Sequence, residues 1–269
     1  MIQQGTVEDS TGYNAPETDV ITKRSPLLYN LLAWAFARQL KKNFHAVNLL
    51  TPPPAVDGPL ICFMNHPSWN DPMVMCFLSQ LFFPDRELYG PMDADALKGY
   101  PMFARAGCYP VTHGNAGGAR KFLRTSRAIL QRPQTVIWIN PQGRFADARE
   151  RPVTFEPGLG ALLKTAKTPV TTLPVALEYT YGVEQCPEVF VTFGEAVQAP
   201  DGDWTSACEK AMQTTQDHLA ERVIARKAGE FTTILGGSVG VGGVYELWQR
   251  CRAVLRGETY HPGHSSLTK

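Results

Sequence analysis

Short apolar runs alternate along this chain with segments of helical pattern, and that alternation limits the folds open to it more than any other feature. Leu60–Met64, Thr135–Ile139, Val170–Leu177 and Val189–Phe193 read as strands, with shorter strand-like stretches at Glu87–Met92 and Cys108–Val111. Asp93–Phe103, Ala116–Leu130 and Gly158–Lys167 read as helices, and Trp204–Lys227 as a long polar amphipathic one. The pattern predicts an α/β fold, a single domain with a mostly parallel central sheet flanked by helices. Ligands in such sheets gather at the carboxyl ends of the strands. Three stretches that follow strands carry reactive side chains: Asn65–Asp71, Thr112–Gly118 and Asn140–Asp147.

At 269 residues the chain can bury a substantial core. Its net charge of +1 supplies no global field for nucleic acid, so no nucleic-acid partner is expected and any basic site must be local. Six cysteines include no C-x-x-C pair and several lie in apolar runs, which reads as reduced thiols in a cytosolic protein. The polar start has no signal-peptide pattern, and no run approaches the ~20 apolar residues that span a bilayer. Neither H-x-x-x-H nor H-E-x-x-H occurs, and no metal is expected.

The expected organisation has four parts. Residues 1–24 form a disordered arm, because Met1 to Lys23 holds few apolar side chains. Residues 25–50 hold an N-terminal amphipathic helix opened by Ser25-Pro26. Its aromatic residues Tyr29, Trp34 and Phe36 and its basic end, running to Phe44, fit a helix lying in a membrane interface; the competing reading is a core helix whose last turn carries cations to suit the macrodipole. Residues 55–230 form the main domain, and 231–269 comprise a glycine-rich connector, Gly236–Gly243, and a C-terminal helix, Val244–Leu255.

The stretch Asn65-His66-Pro67-Ser68-Trp69-Asn70-Asp71-Pro72 joins two apolar elements. Loops anchored at both ends are where catalytic groups are commonly carried. One reading makes His66 a general base, with Asp71 accepting from its other ring nitrogen. A plainer reading has Asn70 or Asp71 capping the following helix while His66 fills the loop. In Asn140–Asp147, Gly143 lets a ligand approach the backbone, and Gln142 and Arg144 offer groups suited to phosphate or carboxylate; taken alone, the loop reads more readily as a surface turn with a solvated arginine. The glycine-rich stretch around His113 leads into a helix bearing Arg120 and Lys121 near its start, which reads either as a place where an anion is favoured or as a solvated basic face.

Taken together, these blocks resemble the glycerolipid acyltransferase family, typified by 1-acylglycerol-3-phosphate acyltransferase. The family's N-H-x-x-x-x-D motif is matched by Asn65, His66 and Asp71; its G-x-I-x-V-x-R block by Gly107, Tyr109 and Val111, with His113 in the arginine position. Its F-P-E-G-T-R-S block corresponds to Ile139–Phe145, and its V-P-V-A strand to Thr172–Leu177. Phe155-Glu156-Pro157-Gly158 resembles the family's F-K-x-G segment. Three departures stand out: Gln142 replaces glutamate, Arg144 stands one place early with Phe145 where arginine belongs, and His113 replaces arginine. In the family those groups are associated with the glycerol phosphate of the acceptor.

The resemblance implies O-acyl transfer from an acyl thioester, either acyl-CoA or an acyl carrier protein, to a hydroxyl of a lipid acceptor. His66 would act as base and Asp71 as its orienting partner, with Asn65, His113, Arg120, Gln142, Gly143 and Arg144 binding substrate. The acceptor would be lysophospholipid-like, resembling lysophosphatidic acid, or a non-phosphate lipid or glycolipid. Backbone N–H groups near Gly143 are the expected oxyanion donors. No cofactor is implied beyond the thioester co-substrate, and the protein would work peripherally at the cytoplasmic face of a membrane. A hydrolase using the same dyad, or an inactive lipid-binding homologue, are the competing readings; the absence of G-x-S-x-G removes the commonest serine-hydrolase route.

Overall fold

A computed structural model of the protein describes residues 19–227, 229–238 and 252. Its N-terminal half contains α1 (Asp19–Lys23), α2 (Pro26–Asn43), β1 (Ala46–Leu49), β2 (Leu60–Met64), α3 (Asp71–Phe82), β3 (Glu87–Asp93), α4 (Ala94–Gly99), α5 (Pro101–Ala106) and β4 (Cys108–Val111). There follow α6 (Ala116–Leu130), β5 (Thr135–Ile139), α7 (Gly158–Lys164), β6 (Thr171–Thr180), β7 (Glu188–Phe193), α8 (Trp204–Ala225) and β8 (Thr232–Gly236).

The strands form one sheet in the order β4-β3-β5-β2-β6-β7-β1-β8. From β4 to β6 all neighbours are parallel. Direction reverses between β6 and β7, β1 runs parallel to β7, and β8 lies antiparallel on β1. The sheet is therefore mostly parallel and flanked by helices, as the alternation predicts.

Parallel strands covered on both faces are apolar at successive positions, and β2 and β5 are buried throughout. Leu60, Cys62 and Met64 join Val136 and Trp138 in a core with Tyr29, Ala33 and Leu40 of α2 and Val74 and Leu78 of α3. Ile61 and Phe63 point the other way, with Ile137 and Ile139, into a core shared with Phe122, Leu162 and Met212. The buried Trp138 indole donates to the Ser79 hydroxyl at 2.7 Å, which satisfies its one polar atom.

Several elements differ from the sequence-based expectation. Asp93–Phe103 is two helices, because Pro101 lacks an N–H and forces Tyr100 off the helical conformation (φ −132°, ψ 66°). The N-terminal helix is capped by the Ser25 hydroxyl with Pro26 in its first turn and ends at Asn43 with Phe44 as its C-cap, as the sequence pattern predicts. Beyond it, Ala46–Leu49 is a buried strand whose parallel partner is Glu188–Val191, a pairing too distant in sequence to leave a local signal. The N-terminal arm also ends early: Asp19–Lys23 is helical, with Val20 and Ile21 packed on the core. Residues 1–18 lie outside the described residues.

Gly236, read as the start of a connector, instead ends β8. The next two residues close the end of α2. The Gly237 and Ser238 N–H groups donate to the His45 and Phe44 carbonyls at 2.8 and 2.9 Å. The Ser238 hydroxyl donates to the Lys41 and Lys42 carbonyls at 3.1 and 2.9 Å. Those carbonyls have no intrahelical partner, and a Cβ at position 237 would strike the Phe44 carbonyl, so glycine is required there. The rest of the glycine run and, apart from Arg252, the helix read at Val244–Leu255 lie outside the described residues. Among the described cysteines, Cys62, Cys76, Cys108, Cys186 and Cys208 are free thiols, and Cys62 and Cys208 are buried.

Candidate active site

Asn65 begins the turn that carries the site. Its amide donates to the Leu177 carbonyl at 2.9 Å and accepts from the Leu177 N–H at 2.8 Å, stitching the end of β2 to β6. Asn140, at the end of β5, donates to the carbonyls of Met64 and Asn65 at 3.1 and 3.2 Å. Three parallel strands are thus tied where β2 and β5 end, and His66 follows directly on that tie. Asn65 engages both sides of its amide with backbone, so its part is to place the histidine.

The His66 Nδ1 lies 2.6 Å from Asp71 Oδ2. Asp71 is fully buried in the first turn of α3, where a negative charge is favoured. Its Oδ2 also accepts from the Ser68 N–H at 3.2 Å, and its Oδ1 accepts from the Tyr179 hydroxyl at 2.7 Å. The N-cap residue Asn70 makes no side-chain cap bond; its amide donates to Ser68 instead. The plain helix-capping reading of this loop is therefore not what the residues do. With Nδ1 turned to the carboxylate, Nε2 is the ring nitrogen left for a substrate, on a side chain 21% exposed.

The loop after β5 grips His66 at three points. Gln142 Oε1 accepts from the His66 N–H at 3.0 Å, the Ala146 N–H donates to the His66 carbonyl at 3.0 Å, and the Phe145 ring lies on the imidazole with centroids 4.3 Å apart. Trp69 stands beyond Phe145 at 6.3 Å, and both aromatics are exposed. Gly143 turns the loop at φ +65°, and a Cβ there would come 2.9 Å from the Glu156 side chain and 3.8 Å from His113. The His113 loop thus reaches the same place, and all three reactive stretches converge.

Not every predicted residue faces the dyad. Arg144 pairs with Glu150 at the surface and donates to the Phe145 carbonyl at 3.3 Å. The Gly143 N–H itself is engaged, donating to the Asn140 carbonyl at 3.2 Å. Arg120 is exposed on α6, whose N-terminus is capped by Asn115. Sequence reasoning missed Tyr179 and Phe145 as members of the site. The signal for Phe145 was its place in a motif position that usually carries arginine; that for Tyr179 was a tyrosine ending a buried strand.

The family model named Acyltransferase matches residues 39–178, more than half of the chain. The chain belongs to the acyltransferase family. The matched stretch of this acyltransferase holds all three converging loops, and its His66–Asp71 pair is consistent with the family's catalytic motif. Among solved structures it is similar to the crystal structure of the 1-acyl-sn-glycerophosphate (LPA) acyltransferase PlsC from Thermotoga maritima. The identity is 17%, the TM-score 0.47, and the likeness covers 72% of this chain and 78% of that one. No curated protein gives a significant match.

Proposed function

We propose that this acyltransferase moves a fatty acyl group from a thioester of coenzyme A or an acyl carrier protein to a hydroxyl of a lipid acceptor. The observation that carries the reading is the His66–Asp71 bond, with the outer ring nitrogen free to meet a substrate hydroxyl. That nitrogen takes the hydroxyl proton as the oxygen attacks the thioester carbonyl. Asp71 stabilises the imidazolium that forms, and the proton returns to the thiolate as the C–S bond breaks. Ester and thiol are the products.

The acceptor group beside the reacting hydroxyl is, in our reading, uncharged. Phe145 sits on the base where that group would lie, and Arg144, the cation of the same loop, pairs with Glu150. An aromatic wall suits a glycolipid or other non-phosphate lipid better than a phosphate, which calls for an unengaged guanidinium. Purified protein supplied with acyl-CoA and vesicles of neutral glycolipid or of lysophosphatidic acid tests this by mass spectrometry of the products. Acylated neutral lipid should form at least about tenfold faster. Faster acylation of lysophosphatidic acid, with Arg120 and His113 as its contacts, would reverse the acceptor assignment. Free fatty acid alone would make the protein a hydrolase, and no turnover a binding protein.

We read α2 as the surface that brings the enzyme to its acceptor. Its outer stripe carries Leu27, Leu31 and Trp34, exposed by 81%, 58% and 61%, and continues into exposed Arg38, Lys41 and Lys42. The Arg38 guanidinium lies 5.9 Å from the Trp34 ring centre. No helix among the described residues is long and apolar enough to cross a membrane. Apolar side chains followed by cations on one helix face suit the interface of an anionic membrane, here its cytoplasmic face. Replacing Leu27, Leu31 and Trp34 with glutamate should weaken co-sedimentation with anionic vesicles by tenfold or more, by about the loss of apolar burial. Turnover of a detergent-dispersed acceptor should not change. Unaltered vesicle binding would remove α2 from the interface.

A further inference from the structure

We infer that Tyr179 is a positioning residue of the acyl-transfer reaction, acting through Asp71 as the third member of a His66–Asp71–Tyr179 relay; the inference rests on the acyltransferase reading above. Asp71 has no exposed surface, so water cannot complete its hydrogen bonding. A buried carboxylate is tolerable only when its lone pairs are matched by donors. On Oδ2 the donors are His66 Nδ1 and the Ser68 N–H; on Oδ1 the donor is the Tyr179 hydroxyl at 2.7 Å. Without that hydroxyl the carboxylate plane would be held from one side alone, and the plane sets the angle at which His66 meets its acceptor.

The fold accounts for how a residue 108 positions away arrives there. Strand β2 pairs with β6 only as far as Met64 opposite Val175. The next five residues of β6 run on beside the His66 loop, held on their other side by β7 with Tyr179 opposite Val189. Alternation puts Leu173, Val175, Leu177 and Tyr179 on one face, the face where α3 begins. The Tyr179 ring is stacked on Phe44, with centroids 5.5 Å apart and planes at 30°. Phe44 caps α2, its N–H bonded to the Leu40 carbonyl and its carbonyl accepting from Ser238. The phenol is thus fixed by the same closure that joins β8 to α2. Burial, the Asp71 charge and the bond to Asp71 keep it well above the ordinary tyrosine value, against an opposing bond from Ser68, so it remains a donor.

Tyr179→Phe tests the relay, because it removes the oxygen and keeps the ring on Phe44. Loss of a hydrogen bond to a buried charge should lower kcat by about tenfold or more, with KM for thioester and acceptor unchanged. In an Asp71→Asn background the same substitution should have little further effect, since the partner through which it acts is gone. The low-field proton resonance of the His66–Asp71 bond should shift in Tyr179→Phe with no substrate present. Wild-type kcat in the variant, or the same fold loss in both backgrounds, would overturn the relay. Should the wild-type protein transfer no acyl group, the reading of function fails first. The resonance then decides the relay alone, and an unmoved signal overturns it.

Discussion

His66→Ala should lower kcat for acyl transfer by about 10²–10⁴-fold, the range lost with a general base, while KM for the thioester changes little. The ring holds no strand together. The backbone bonds that tie this residue to Gln142 and Ala146 use its N–H and carbonyl, which alanine retains. The variant should therefore keep its fold while melting below wild type, since buried Asp71 loses one of its donors, and the rate measured on folded protein assigns the loss to chemistry. Thiol release followed spectrophotometrically, with acylated product measured in parallel, is the check. A variant that turns over at the wild-type rate would remove His66 from the reaction.

Asp71→Asn is expected to cost about 10²–10⁴-fold in kcat, and for a reason that differs from loss of charge alone. Three donors converge on this carboxylate: His66 Nδ1, the Ser68 N–H and the Tyr179 hydroxyl. An asparagine offers one acceptor oxygen and an NH₂ group that must face one of them. If the oxygen stays with Tyr179, the NH₂ faces the imidazole, which then accepts at Nδ1 and carries its proton on the outer nitrogen. A histidine in that tautomer cannot take a proton from the substrate. Nitrogen chemical shifts of His66 report the tautomer directly. A variant with the wild-type tautomer and undiminished rate would contradict the assignment.

Much of this arrangement could be read from local sequence. The strands β2 to β7, the helix cap at Ser25-Pro26 and the convergence of chemistry at strand ends follow from short-range apolar patterning and turn residues, and the structure agrees on each. The His66–Asp71 pair was also legible, because five residues on one turn suffice to make it. Phe145 was half legible: its motif position was visible, but not that its ring would lie on the imidazole. Arg144 was legible only as a choice between an anion contact and a solvated surface arginine. A guanidinium in a loop invites an anion, and nothing local shows that Glu150 folds back to take it.

The sequence by itself determined the layered α/β architecture, the loop that holds the dyad and the family to which the chain belongs, since periodicity and motif spacing are local properties. Tertiary structure alone decided that β1 and β8 complete the sheet, that Gly237 and Ser238 close α2, and that Tyr179 completes the hydrogen bonding of Asp71. Those contacts join residues a hundred or more positions apart, and they form only because the parallel sheet brings the ends of distant strands to one edge.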